Sequence, residues 1–277
     1  MKRTIVILLI VGLGALVVYL LPHNSGELAV VTLEEGIFES DPVVRQLEKL
    51  SKDAAVKAVV LRIDSPGGSV GAAQEIHDAV KDLARVKKVV ASFGSVAASG
   101  GYYVALPAHK IIANPGTVTG SIGVRMEYLY AGELIQWAKL KAETLKSGYW
   151  KDAGSPSREM TPEERVYLEE ILKKLHTQFK RAVAEARSLP AERVDSLAEG
   201  QLFTGEEAKA LGLVDELGNL QAGIRLAAQL AGIKEEPKVF YPERDYDHWL
   251  ERVLGQASTR LLRIGLGDLP RWQFQYR

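Results

Sequence analysis

Short apolar runs alternate along this chain with stretches whose apolar residues recur at helical spacing. Glu27–Leu33 and Val56–Ile63 are dense in Val, Ile and Leu, are bounded by turn residues, and have the length of buried strands. Lys88–Phe93 and Lys110–Ala113 read the same way, and Ala142–Lys146 reads as one more strand. Ser69–Val86 instead sets Ala73, Ile76, Val80 and Leu83 on one helical face. Thr161-Pro162-Glu163-Glu164 opens the longest expected helix, with an N-cap, a proline at N1 and a capping-box glutamate at N3. Its stripe of Leu168, Leu172, Leu175, Phe179 and Val183 reads as core packing, and Leu189-Pro190 ends it. Helices from Gly205 to Leu211 and from Asn219 to Ala231 precede a strand at Lys238–Tyr241. Strand–helix–strand alternation of this kind predicts a parallel α/β core.

The N-terminus departs from that alternation. Thr4 to Leu21 carries no charge and follows Lys2 and Arg3. As a helix this run spans about 27 Å, close to the hydrocarbon thickness of a bilayer. A membrane anchor fits better than a cleaved signal, whose apolar region is shorter and ends in a small-residue site, whereas Leu21-Pro22-His23-Asn24 follows here. The two basic residues place the body of the protein outside the cytoplasm. The chain thus divides into an anchor and linker (1–26), an α/β domain (27–241) and a tail (242–277). The tail mixes Trp249, Trp272 and Phe274 with Arg260, Arg263 and Arg271, which suits a membrane surface, a neighbouring chain or a mobile end equally.

Composition narrows the chemistry. The net charge of zero gives no electrostatic case for a nucleic-acid partner. With no cysteine, a thiol nucleophile, a disulfide and a Cys-ligated metal are all excluded. The five histidines stand singly and without a paired-ligand spacing, so no metal cofactor is expected.

Two glycine-rich turns remain as candidate chemistry. In Arg62-Ile-Asp-Ser-Pro-Gly-Gly-Ser69, the glycines let a ligand approach the backbone, and N–H groups near a helix start suit an anion or an oxyanion. A tight strand-to-helix turn explains Pro-Gly-Gly equally well. In Gly94-Ser-Val-Ala-Ala-Ser-Gly-Gly-Tyr-Tyr103, Ser99 sits among small residues with the Gly100 N–H beside it, the pairing that acyl transfer needs. A helix cap accounts for Ser99 equally. A serine nucleophile needs a base. His109 and His77 are poorly placed along the chain, which leaves a lysine made neutral by burial, since desolvation lowers a lysine pKa from about 10.4 by several units. Lys146 and Lys151 lie beside aromatic residues, although for Lys151 a surface charge or a pair with Asp152 is the simpler account from the residues alone.

Together these stretches resemble the signal peptide peptidase A family, membrane-bound Ser–Lys peptidases. The likeness is carried by Asp64-Ser-Pro-Gly-Gly68, Ala97-Ala-Ser-Gly-Gly-Tyr-Tyr103, Thr119-Gly-Ser-Ile-Gly123, and Lys146-Ser-Gly-Tyr-Trp-Lys-Asp152 running into Ser155-Pro-Ser-Arg-Glu-Met160. It continues through Phe203-Thr-Gly-Glu-Glu-Ala208 and Leu213-Val-Asp-Glu-Leu-Gly218. The resemblance implies Ser99 as nucleophile, Lys151 as its base and Ser121 as the hydroxyl that orients the lysine. It implies oxyanion donors at Gly68 and Gly100, with Gly67 as a substitute for the first, and leaves Lys146 as a surface residue. It implies an α/β Clp protease/crotonase-like fold of repeated ββα units. In the short form, serine and lysine meet between adjacent protomers of a dome-shaped homo-oligomeric ring. No cofactor is implied. The substrates implied are extended apolar peptides such as cleaved signal peptides.

Three other readings compete. A Clp-type Ser-His-Asp peptidase would carry its histidine near position 124, where Val124 stands. A crotonase-type acyl-CoA enzyme has no use for an exported body. A non-catalytic membrane scaffold on the same fold is separated from a peptidase by whether an acylating probe labels a serine.

Overall fold

The computed structural model describes residues 26–242 and 274–276. The chain opens with β1 (Leu28–Ile37), α1 (Asp41–Lys52), β2 (Ala58–Ser69), α2 (Val70–Val86), β3 (Lys88–Ala98), α3 (Gly100–Ala105) and β4 (Lys110–Ala113). Next come β5 (Val118–Gly120), β6 (Arg125–Met126), α4 (Gly132–Trp137) and a 3-10 turn at Tyr149–Asp152. The remainder holds α5 (Pro162–Arg187), α6 (Ala191–Leu197), β7 (Leu202–Thr204), α7 (Gly205–Ala210), β8 (Glu216–Leu217), α8 (Leu220–Leu230), β9 (Val239–Phe240) and β10 (Phe274–Tyr276).

Strands β9, β1, β2, β3, β4 and β8 pair side by side and in parallel. Their alternating side chains feed two cores, as strands covered on both faces require. Ala29, Val31, Val59, Leu61, Ile63, Val89, Ala91 and Phe93 face one way, into a core completed by Ala73, Ile76, Val80 and Leu83 of α2. Leu28, Val30, Ala58, Val60 and Val90 face the other way, against Ile224, Ala227 and Ala228 of α8. Each fully buried Leu, Ile or Val side chain contributes about 1.5–3 kcal/mol, so this three-layer sandwich supplies most of the fold's hydrophobic stabilisation.

Strands β2 and β3 run past the core sheet and change partners. β3 pairs with β4 over Val90–Ser92 but with β5 over Val96–Ala98. The β2–β3 register slips between Ile63 and Ser65. β2 continues through Pro66-Gly67-Gly68 to Ser69, so the Pro-Gly-Gly segment expected as a turn is the end of a strand that feeds α2 directly. At that end β10 pairs antiparallel with β2, through Gln275 opposite Ser69 and Tyr276 opposite Gly68, and with β6 on its other side.

The capping box of α5 forms as expected: the Thr161 side chain accepts from the Glu164 N–H, and Glu164 returns a bond to the Thr161 N–H. Ala142–Lys146, expected as a strand, is irregular and exposed, with Leu145 at 92%. It lies on an arm between β6 and α5 that leaves the sheet, and a strand needs a ladder partner this arm does not offer. The run Thr4–Leu21 lies outside the described residues, among which no helix is long and apolar enough to cross a membrane.

Candidate active site

The two glycine-rich motifs lie far apart in sequence and are stitched together by Asp64. Its carboxylate accepts the N–H groups of Ser95 (3.2 Å) and Val96 (3.0 Å), where β3 leaves the core sheet. At Gly94 a β-carbon would sit 2.5 Å from that carboxylate, so the residue there must be glycine. Ser65 then accepts the Gly67 N–H on its Oγ (3.2 Å), which engages the amide named above as a substitute donor.

Ser99 sits where β3 turns into α3, with φ 54° and ψ −118°. A non-glycine residue held there costs about 1–3 kcal/mol, a strain found where a side chain must be aimed. Surrounding bonds enforce it: the Ser99 N–H donates to the Gly120 carbonyl (2.8 Å), and its carbonyl accepts the Tyr103 N–H (2.9 Å). Ser99 is fully buried, yet its Oγ has no hydrogen-bond partner. Although the residue occupies the N-cap position of α3, the hydroxyl caps nothing. Such a group costs about 1–3 kcal/mol when left unpaired, a penalty the fold bears at this position.

The two glycines expected as oxyanion donors, Gly68 and Gly100, are brought against each other at the head of α3. A β-carbon on Gly100 would come within 3.2 Å of the Gly68 nitrogen, and one on Gly101 within 2.8 Å of the Ser65 carbonyl oxygen. The head of α3 therefore rests on the backbone of the Pro-Gly-Gly motif, and glycine permits that approach. Ser121 follows directly on Gly120, which is paired with Ala98, so continuing the parallel register sets it opposite Ser99 at the end of the β3–β5 ladder. It is buried, holds φ 50°, and donates its N–H to Gln201 (2.8 Å).

Within one protomer Lys151 is not brought to Ser99. It lies on the 3-10 turn of the arm and is exposed. Neither histidine weighed as a base hydrogen-bonds the Ser99 hydroxyl. His109 accepts the Val89 N–H (3.2 Å), at the opposite end of β3. His77 stacks on Tyr103 with ring centroids 4.7 Å apart and contacts Asp78; burial holds its pKa below the ordinary value. His77 also lines a cavity of about 190 Å³ between α2 and α5, together with Lys81, Arg181 and Glu185, and that cavity includes none of Ser99, Gly68, Gly100 or Lys151.

Sequence reasoning quoted Asp64 without giving it a role. Its position between a buried strand and Pro-Gly-Gly was the available signal, since an acid there has turn amides within reach. Arg158 was quoted in the same way, and its partners emerge only in three dimensions.

Known proteins place the chain. Residues 81–234 match peptidase family S49, and residues 30–116 match the Clp protease family. A candidate protease of Synechocystis sp. is 38% identical over 227 residues, covering 81% of this chain and 82% of that protein. Protease 4 of Salmonella typhi is 35% identical over 233 residues, covering 83% of this chain but 38% of its own length. The chloroplastic serine protease SPPA of Arabidopsis thaliana is 34% identical over 201 residues, covering 72% of this chain and 30% of that protein. Among solved structures, a ClpP1 mutant from Listeria monocytogenes overlays with a TM-score of 0.48 at 21% identity, covering 70% of this chain and 94% of that one.

Proposed function

This chain belongs to peptidase family S49, the serine peptidases that include the SppA and Protease 4 relatives, and from that premise we propose a Ser–Lys dyad of Ser99 and Lys151 assembled between neighbouring protomers. The observation that carries the reading is the Ser99 hydroxyl: buried, unbonded, held at a strained φ, and flanked by the Gly68 and Gly100 backbone. Neutral Lys151 takes the Ser99 proton as Oγ attacks a peptide carbonyl, and the Gly68 and Gly100 N–H groups hold the oxyanion. The resulting ammonium protonates the leaving amine, and water then cleaves the ester by the same route in reverse. Ser121 is the hydroxyl that orients the lysine.

A second copy of the chain is required because Lys151 rides an exposed arm rich in apolar side chains. Trp137 (82% exposed), Leu129, Leu134, Leu140 and Leu145 all face outward. Packing this arm against a neighbour buries the lysine, which favours its neutral form. Substrates are extended peptides that add as an antiparallel strand beside Gly68–Ser69, the place the backbone of β10 takes here. With Thr4–Leu21 as an anchor and the domain outside the cytoplasm, signal-peptide remnants left in the membrane are the substrate class.

Complementation tests this directly. Ser99→Ala and Lys151→Ala proteins should each lose turnover of an apolar fluorogenic peptide by on the order of 10³-fold or more. Co-assembled in equal parts, they should recover roughly a quarter of wild-type activity, because random mixing in a symmetric ring restores that share of shared sites. No recovery in mixed assemblies would place the dyad within one protomer, and full activity of Lys151→Ala alone would remove the lysine from the mechanism.

A further inference from the structure

The turn that carries Lys151 buries none of its own residues, and one 3-10 turn does not hold a side chain in register unaided. It is tied down by a chain of charges and one ring stack. Lys146 donates to Asp152 Oδ1 (2.5 Å) and to the Tyr149 carbonyl (3.0 Å). Arg158 grips the other oxygen of the same carboxylate, from Nη2 at 2.9 Å and Nε at 3.2 Å, and reaches the Asp152 carbonyl at 3.3 Å. Its Nη1 also donates to Glu164 Oε2 at 2.9 Å, and Glu164 is the buried capping-box acid of α5. Trp150 stacks on Tyr167 of α5, with ring centroids 4.7 Å apart. Asp152 is thus held by Lys146 and Arg158 together, and Glu164 by Arg158, which the two acids share. Lys151 makes no ion pair or side-chain hydrogen bond among the described residues.

We propose that Arg158, with Lys146, is a positioning residue for the reaction: it clamps the Lys151 turn to the head of α5 and keeps the Asp152 carboxylate off the Lys151 amine. The proposal rests on Lys151 being the base. A neighbouring carboxylate favours the ammonium form, which cannot accept a proton, and Asp152 is adjacent in sequence. Hydrogen bonding chiefly from Lys146 holds the Asp152 carboxyl below its usual range, and bonding from Arg158 does the same for Glu164. Both stay anionic at neutral pH; removing Arg158 leaves Lys146 on Asp152 Oδ1 but frees Oδ2, the oxygen Arg158 had held, to turn toward Lys151. The other charged and titratable groups around the turn are Lys146, Tyr149, Arg158, Glu164 and, across the ring stack, Tyr167, and the two cations are both engaged with acids.

The test follows kcat and KM against pH for the full chain, using an apolar fluorogenic peptide. Arg158→Gln should lower kcat/KM near neutrality by about 10–100-fold, the scale of a displaced catalytic group, and should move the acid limb of the profile to higher pH. Adding Asp152→Asn to it should return that limb to its wild-type position, which a purely structural role for Arg158 does not predict. An unmoved acid limb in assembled Arg158→Gln protein, or no return in the double variant, overturns the proposal. If Arg158→Gln does not assemble, Arg158→Lys decides: it retains the charge but not the two-sided grip. A wild-type acid limb with kcat reduced about tenfold supports the clamp, and wild-type kcat overturns it. Lys151→Ala is run alongside, and normal turnover there sinks the dyad itself, a failure separable from that of the clamp.

Discussion

At Ser99 the chain accepts two local penalties at one residue, a left-handed φ and a buried hydroxyl without a partner. Under the proposed mechanism stability and chemistry are in conflict there, as at many sites where activity needs a strained or unsatisfied group. Replacing Ser99 by Ala leaves the φ strain in place but removes the unpaired hydroxyl. The variant should therefore be inactive and more stable, by on the order of 1 kcal/mol in urea unfolding. A less stable Ser99→Ala would mean that the hydroxyl has a structural partner after all. Ser121 shares the positive φ, and its conformation is held by its N–H bond to Gln201. Both serines are aimed by backbone bonds to neighbouring segments, which leaves their side chains available.

Among the elements, the long helix α5 organises the far side of the domain. Its N-terminal end carries the capping box and the Arg158 cluster, and its C-terminal end carries Arg187. The Arg187 guanidinium donates to Asp215 (2.9 Å) and to the Gly212 carbonyl (2.8 Å). Asp215 also accepts the Ile111 N–H (2.8 Å) at β4, so one carboxylate joins helix, loop and sheet. Burial pushes the Asp215 carboxyl up, but the Arg187 hydrogen bond, the Ile111 N–H and nearby Lys110 outweigh it and leave the pKa below its ordinary value. A depressed carboxylate stabilises the fold above its unfolded pKa, about 3.9, and that contribution is lost as pH falls through the folded value. Asp215→Asn should cost about 1–3 kcal/mol at pH 7, with the gap from wild type closing below pH ~4. Thermal unfolding across pH reads this, and a gap that stays constant with pH would assign the loss to packing alone. The motif Leu213-Val-Asp-Glu-Leu-Gly218 thus has a structural use in this chain.

For the whole molecule, a complete core and a largely exposed arm coexist in one chain. Two-sided packing of the sheet closes both cores, while the arm at residues 127–160 is left largely exposed, with Leu145 at 92%. Exposed apolar surface of this kind suits contact with another molecule, and the second copy proposed above would account for both the arm and the exposure of Lys151. Placing a charge in that contact, as Trp137→Glu with Leu145→Glu, should yield folded monomers without peptidase activity. Sedimentation velocity and circular dichroism check this together. A monomeric variant that keeps wild-type turnover would show that one chain is sufficient.

The sequence by itself determined those features whose cause is local. The core strands, the α2 face and the Thr161 capping box follow from side-chain period and from bonds spanning a few residues, and form as read, while of the α5 stripe Phe179 and Val183 enter the core and Leu172 is only half-buried. The Asp41-Pro42 start of α1 was legible by the same rule, as proline in a first helical turn, and went unread. Ser99, Gly68, Gly100, Ser121 and Lys151 were marked by motif likeness, and periodicity does not report their geometry. Tertiary structure decided how Asp64 joins two distant turns, how Ser99 acquires its φ, and why Ala142–Lys146 is no strand. It also set Asp152 between Lys146 and Arg158. The first two depend on contacts between residues remote in sequence, which exist only once the sheet has brought its strand ends together, and the Asp152 cluster, with partners six residues to either side, depends on how the arm folds onto α5.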